Sequence, residues 1–241
     1  MRQAAKIVCA ILDELEAAAK PGVTTHALDQ QAEKLIKKMG AKPAFKGYHG
    51  FPAVLCASVN AQVVHGIPTK KAKLEEGDLL KLDFGVSYHG LFADSARTVR
   101  IGKVSDEAEK LIAVTKESLA RAIAVCVAGA RVGDIGHTVQ SFVEAHGFSV
   151  VKDFHGHGVG RKLHEAPTVP NYGLAHSGPQ LTPNMTIAIE PMVNAGTDKV
   201  EILDDDWTAV TLDRRLSAHF EHTVLITEGP HEDTQDLQVP V

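Results

Sequence analysis

The chain has 241 residues, 44% of them hydrophobic and 23% charged, with few aromatics and a formal net charge of −5. That balance describes a globular protein and argues against a nucleic-acid binder, which would carry a basic field. Cys9, Cys56 and Cys126 are scattered and form no CxxC pair, which excludes a disulfide scaffold or thiolate zinc finger and fits a reducing compartment.

Asp13, Glu14 and Glu16 interrupt any apolar core near the start, so no secretory leader is expected. No apolar run is long enough to span a bilayer, and the cytoplasm is the expected location. Residues 4–19 place Ile7, Ile11, Leu12 and Leu15 on one helical face. Pro21-Gly22 ends that helix, and Thr24 or Thr25 can cap the next, which runs over 26–39 until Gly40. Strands are expected over 53–65 and 79–102. A second helix pair follows at 105–147, the first through Leu111, Val114, Leu119 and Ile123, the second through Ile135, Val139, Phe142 and Val143 to Gly147. Strands over 149–156, 185–193 and 216–227 come last.

The second helices of the two pairs superimpose at a shift of 107 positions, the interval from Gly22 to Gly129. Leu28 falls on Ile135, Leu35 on Phe142, Ile36 on Val143 and Gly40 on Gly147. Any two amphipathic helices with glycine stops align in this manner, so the shift alone proves nothing. Helix, helix and antiparallel strands written twice predict an α+β duplication, two half-sheets meeting around a cleft, in one domain over 1–241.

Within that frame, 79-LLKLDFGVSYHGLFADSARTV-99 reads as a hairpin turning at His89-Gly90. The two-residue loop puts Ser87 opposite Phe92, Gly85 opposite Asp94 and Asp83 opposite Ala96. Asp83 and Asp94 then share a face as diagonal neighbours, roughly 7–8 Å apart at the backbone. Like charges on a half-buried hairpin repel and lose hydration. Either they stay solvated at a sheet edge, or a cation sits between them and further ligands lie elsewhere.

Candidates for those ligands follow. In 154-FHGHGVGRKLHEAP-167, His157 sits between glycines that leave its imidazole room and let backbone come close. A phosphate cradle is the weaker reading of these glycines, because no amphipathic helix follows and Pro167 forbids one soon. In 183-PNMTIAIEPMV-193 a strand ends on Glu190, and in 217-SAHFEHTVLIT-227 Glu221 lies opposite to a face of Phe220, His222, Val224 and Ile226. Asp83, Asp94, His157, Glu190 and Glu221 form the candidate inner shell. Two divalent cations would balance the four carboxylates, and an oxygen-rich set with one imidazole suits Mn²⁺, Fe²⁺ or Co²⁺. Two such ions can hold a bridging hydroxide as nucleophile and polarise a carbonyl.

These residues, in this order, resemble the type I methionine aminopeptidases of the pita-bread fold, over about residues 5 to 228. The carriers are SVNAQVVHGIP (58–68), LDFG with the following Asp94, GHGVGRKLHEAP (156–167), IEPMV (189–193) and SAHFEHTV (217–224). The resemblance implies removal of an N-terminal methionine from nascent polypeptides when the next residue is small, by a hydroxide bridging two metals. It implies that Asp83 binds one metal with both oxygens, that Asp94 and Glu221 bridge the pair, and that His157 and Glu190 complete the second. The substrate amine would sit on the metals, which makes the enzyme an exopeptidase. His164 would contact the scissile carbonyl and developing oxyanion, and His65 the scissile nitrogen. Glu190 would take the proton of the bridging water and pass it to the leaving amine. Tyr48, Phe51, Cys56, Leu163 and Trp207 would form the methionine pocket, where thioether–aromatic contacts are favourable.

The sequence departs from this pattern in several places. Leu163 stands where a phenylalanine is usual, Phe92-Ala93 where His-Gly is frequent, and His219 where a glutamine is frequent. Ala61-Gln62 replaces an acidic-apolar pair in the loop where relatives hold a monovalent cation with Asn60 and Ser217, which weakens the case for that ion. The 201-EILDDDW-207 loop is acidic where ribosome-engaging relatives are basic, so ribosome docking would be weaker or use Lys37, Lys38, Lys42 and Lys46. A monomer without nucleic-acid or membrane partners is expected, and the short N-terminus fits the form lacking an added zinc-binding domain. The rivals are an Xaa-Pro aminopeptidase or prolidase, which usually carries a large extra N-terminal domain, a non-catalytic relative that binds peptides, and an incidental acidic cleft.

Overall fold

The computed structural model describes residues 1–228 and the short strand Glu232–Asp233. Helix α1 (Arg2–Ala18) buries Ala4, Ile7, Val8, Ile11, Leu12 and Leu15, a spacing of three and four that makes one apolar stripe. Burying each large side chain of that stripe contributes about 1.5–3 kcal/mol. Helix α2 (Thr25–Lys38) starts where the Thr24 side chain accepts from the Ala27 N–H at 3.2 Å, and Lys37 and Lys38 suit its C-terminal dipole. Strands β1 (Lys42–Pro43), β2 (Leu55–Val59), β3 (Gln62–Val64), β4 (Leu79–Tyr88) and β5 (Leu91–Arg100) complete the first half.

The second half repeats the plan. Helix α3 (Asp106–Ala124) is capped by Ser105, and α4 (Val132–Ala145) opens with the Asp134 carboxylate accepting the Arg131 N–H at 2.8 Å. Strands β6 (Ser149–Val150), β7 (Gly156–Gly158), β8 (Glu165–Val169), β9 (Thr186–Ile189) and β10 (Met192–Asn194) follow. Then come β11 (Val200–Ile202), β12 (Ala209–Thr211), β13 (Ser217–His219), β14 (Glu221–Leu225) and β15 (Glu232–Asp233).

The duplication is written in backbone hydrogen bonds. Gly22 N–H donates to Leu74 O at 2.8 Å, and Gly129 N–H to Leu181 O at 3.0 Å. Leu74 N–H returns to Val23 O, as Leu181 N–H returns to Ala130 O. The isolated bridge Thr24–Lys73 matches Arg131–Gln180, and Gly22 and Gly129 share a φ of 93°. Every one of these pairs obeys the same shift that aligns the helices. The shift also carries the start of β4 onto the start of β9, and Asp83 onto Glu190.

The main sheet runs β1-β4-β5-β14-β9-β7-β8, with β2 beside β4 and β15 beside β14. The halves join where β5 pairs β14, Ala96 opposite Glu221. Helix α1 packs on β4 and β5, while α3 reaches β9 and β14, so each helix pair covers its own half-sheet. The hairpin takes the expected register, with Ser87 on Phe92, Gly85 on Asp94 and Asp83 on Ala96. His89 (φ 50°) and Gly90 (φ 79°) both adopt left-handed conformations, as a turn that matches strand twist requires.

Two expectations need correction. The strand over 216–227 is two strands: β13 pairs β10 in a separate three-stranded sheet, and β14 lies in the main sheet. The strand through Ile187 stops before Pro191, as expected of a residue with no N–H to give a ladder, and β10 follows in the smaller sheet. Phe220 N–H donates to Pro191 O at 3.4 Å, so both chains change sheets at one level. Strands β8, β11 and β12 were not expected; β8 is mostly exposed and holds Pro167, which hides its alternation.

Candidate metal centre and active site

Five adjacent strands of the main sheet each deliver one candidate ligand. Asp83 comes from β4, Asp94 from β5, Glu221 from β14, Glu190 from the residue after β9, and His157 from β7. Asp83 and Glu221 flank Ala96, whose methyl leaves room for both carboxylates. His157 is opposite Ala188, two residues before Glu190.

Close backbone approach explains the glycines around His157. A Cβ on Gly156 would stand 2.3 Å from Ala188 O, and one on Gly158 would stand 2.2 Å from Ala166 O. Only hydrogen fits at either place.

Ligating atoms of Asp94, His157 and Glu221 all lie within 4.8 Å of one another. His157 Nε2 is 3.5 Å from Asp94 Oδ2 and 3.7 Å from Glu190 Oε1. Its Nδ1 lies 2.9 Å from Gly158 O, and a carbonyl only accepts, so Nδ1 carries a proton and Nε2 is the nitrogen turned toward the carboxylates. The Thr223 hydroxyl donates to Asp94 Oδ1 at 3.1 Å.

Burial holds the Asp83, Glu190 and Glu221 carboxyls well above the usual carboxylate range, and neighbouring carboxylates add to it. Burial also raises Asp94, while His157 and the Thr223 hydroxyl pull the other way. A carboxyl cluster that resists ionisation and has an imidazole nitrogen aimed into it fits divalent cations.

Two further histidines face this cluster and are neutral. Burial lowers the pKa of His65 to about 4, and its ring stacks edge-on to Phe154 at 5.3 Å. His164 is also lowered to about 4, first by burial and then by His157, His65 and His49. Its ring centroid is 4.1 Å from that of His157, and the Tyr48 hydroxyl is 2.6 Å from its Nδ1.

Every residue assigned above to the metals, the histidine pair or the methionine pocket lines one cavity of about 300 Å³. Tyr48, Phe51, Cys56, Leu163 and Trp207 form its side wall, with Phe51 edge-on to Trp207 at 5.1 Å. Phe45, Val64 and Phe154 also line it and were missed, although Phe45 and Phe51 flank Tyr48 in the sequence as an aromatic cluster. A wider recess of about 540 Å³ adjoins at His157 and His164 and runs past His155, Lys162 and Thr168.

The departures from the expected pattern acquire physical content here. The Asn60 carbonyl accepts the Lys81 ammonium at 2.7 Å and the Ser217 N–H at 3.2 Å. A cation belonging to the chain itself therefore stands at one of the groups assigned to a monovalent ion. Lys81 is only 1% exposed, and burial lowers its pKa to about 7. His219 is buried with Nε2 3.8 Å from Glu190 Oε2, and neither ring nitrogen has a hydrogen-bond partner among the described residues. In the acidic loop, Asp205 accepts the N–H groups of Trp207 (3.0 Å) and Thr208 (2.7 Å), which fixes the Trp207 wall.

The pattern of metallopeptidase family M24 matches residues 1–228. A methionine aminopeptidase of Clostridium acetobutylicum is 52% identical over 231 residues, covering 95% of this chain and 92% of the relative. The crystal structure of a methionine aminopeptidase from Thermotoga maritima superimposes with a TM-score of 0.97 at 44% identity, covering 98% of this chain and 95% of that one. A prolidase from Pyrococcus furiosus shares the fold at a TM-score of 0.80 and 21% identity, with this chain covering 63% of it. The chain belongs to metallopeptidase family M24 and, within it, to the methionine aminopeptidases.

Proposed function

We propose that this chain removes the N-terminal methionine from nascent polypeptides whose next residue is small, as one catalytic unit in the cytoplasm. The observation that carries the reading is the convergence of four carboxylates and one imidazole at the floor of an aromatic-walled cavity. Asp83, Asp94, His157, Glu190 and Glu221 would hold two divalent cations, Mn²⁺, Fe²⁺ or Co²⁺. Bound there, the ions supply an activated water and polarise the scissile carbonyl.

The chain's own residues do the rest. Tyr48, Phe51, Cys56, Leu163 and Trp207 enclose an unbranched thioether, Cys56 adding a soft thiol to the aromatic walls. His164, its pKa lowered to about 4 by partial desolvation in the cavity wall and by the neighbouring His157, His65 and His49, donates from its inner nitrogen to the carbonyl oxygen as negative charge develops there. His65 hydrogen-bonds the scissile nitrogen. Glu190 takes a proton from the attacking water and returns it to the departing amine, a role that its raised affinity for protons supports. The adjoining recess past His155 and Thr168 accommodates the remainder of the peptide. We place the enzyme as a monomer, with any ribosome docking through Lys38, Lys42 and the Lys37 and Lys46 side chains that share Glu33.

The test strips the protein with chelator and restores Mn²⁺, Fe²⁺ or Co²⁺ in turn, following first-residue release from Met-Ala-Ser and Ala-Pro-Ala. Metal-dependent release of methionine, with Ala-Pro-Ala untouched, is expected. Cleavage of Ala-Pro-Ala would favour the prolidase-like relatives instead. No release from either peptide would favour a binding protein.

A further inference from the structure

We propose that Tyr48 is a positioning residue for His164: its hydroxyl donates to Nδ1 and holds the imidazole as the tautomer whose Nε2–H faces the scissile carbonyl. This rests on the role given to His164 above, and it assigns to Tyr48 a task beyond lining the methionine pocket.

A neutral imidazole has one N–H and one lone pair, so the 2.6 Å contact between Tyr48 Oη and His164 Nδ1 admits two arrangements. If Nδ1 donated to the phenol oxygen, Nε2 would turn a lone pair toward the cleft and could not stabilise an oxyanion. If the phenol donates, Nε2 carries the hydrogen. The distance favours the second, since hydrogen bonds donated by O–H run shorter than those donated by N–H, which cluster near 2.9–3.0 Å. The neighbouring His157 ring stands nearly perpendicular to that of His164, at 84°.

The Tyr48 ring is itself held. It occupies a single helical turn between Gly47 (φ 86°) and Gly50 (φ 93°), tied by Tyr48 N–H to Phe45 O at 2.9 Å and Phe51 N–H to Tyr48 O at 3.0 Å. His49 packs edge-on against it at 4.4 Å. A rigid turn therefore fixes the phenol, and the phenol fixes the imidazole. Donation into Nδ1 also polarises the ring and makes Nε2–H a stronger donor, as in other hydrogen-bonded chains.

Histidine-specific ¹⁵N labelling of the protein loaded with diamagnetic Zn²⁺ reads the tautomer directly, with His164 assigned by its loss in His164→Ala. The expected result is Nε2–H in the wild type and a mixture in Tyr48→Phe. That variant keeps the ring, so KM for Met-Ala-Ser should stay within about twofold while kcat falls about tenfold, the size of one net hydrogen bond. An Nδ1–H tautomer in the wild type overturns the proposal, as does an unchanged kcat in Tyr48→Phe. The wild-type spectrum does not depend on Tyr48→Phe, so a poorly folded Tyr48 variant cannot rescue the idea. Full turnover in His164→Ala would instead sink the role of His164 itself, whatever the tautomer.

Discussion

Asp83 and Glu221 stand on either side of Ala96, one strand away from it in each direction, so the seam between the two halves of the molecule is lined with carboxyl groups. Without metal this arrangement opposes folding. The unfolded chain ionises Asp83 near its ordinary pKa, whereas burial and then Asp94 raise the folded value well above it. The folded state thus holds the extra proton, and the stabilisation is full below the unfolded pKa and lost as pH rises through the folded one.

At pH 7, Asp83→Asn should therefore raise the stability of the metal-stripped protein by about 0.5–2 kcal/mol. Calorimetry should show this as a Tm higher by roughly 1–8 °C for a chain of this size. Mn²⁺ held by the proposed ligands should raise the wild-type Tm, and the same substitution should abolish that gain. A metal-stripped variant melting lower than the wild type would contradict this account.

Gly158→Ala tests the close approach that lets His157 reach the carboxylates. The new methyl would meet Ala166 O at 2.2 Å, a backbone atom that cannot swing aside. The β7 strand must shift, carrying His157 away from Asp94. We expect a loss of about 1–3 kcal/mol by urea denaturation, as for overpacked cores, and weaker metal retention by elemental analysis. Unchanged metal content would show that His157 tolerates displacement.

Much of this site could be read in the sequence because local rules apply to it. His89-Gly90 fixes a two-residue turn, the turn fixes register, and register alone puts Asp83 and Asp94 on one face. The helix shift that aligns Gly22 with Gly129 was ambiguous as a pattern, since glycine stops are common. Only tertiary hydrogen bonds to Leu74 and Leu181 give it meaning, and these join residues far apart in the chain. The correspondence of Asp83 with Glu190 follows from the same shift, yet nothing in their different side chains announces it. The sheet change at Phe220 was invisible because the apolar alternation runs through it without a break. Phe154 was unreadable as a pocket residue for a related reason: an aromatic lining a cavity and one filling a core look alike in one dimension.

Lys81 should leave a signature in the pH dependence of stability. Its folded pKa is lowered to about 7 by burial, against about 10.4 for an unfolded lysine. Between those values the unfolded chain holds the extra proton, so folding is favoured progressively as pH rises, by up to about 1.4 kcal/mol per pH unit. Below pH 7 both states are protonated and the slope vanishes. Urea midpoints for the metal-stripped wild type and Lys81→Met at pH 7 and 9 isolate this group, because other titrating residues are common to both. The wild type should gain about 2 kcal/mol relative to the variant across that interval. Parallel curves would mean that Lys81 stays charged throughout, held by Asn60 O and Asp78.

The division of labour between the metal cluster and the histidines predicts that His164→Ala separates chemistry from binding. His164 comes from the loop between β7 and β8, outside the five strands that deliver the carboxylates and His157. Its Nδ1 is occupied by Tyr48, and its pKa of about 4 keeps it neutral, fit to donate to a developing oxyanion. Loss of such a donor costs about 10²–10³ in kcat. Metal content, measured by elemental analysis after gel filtration, should change by less than about twofold, since the ligand set stays intact. Tyr48 would be left with a hydroxyl facing a hole, so a small rise in KM should accompany the fall in kcat. Comparable losses of turnover and metal would place His164 among the ligands. In that event Tyr48 would have to be accepting a proton from Nδ1, with the Nε2 lone pair bound to metal, and the labelled spectra would show the opposite tautomer.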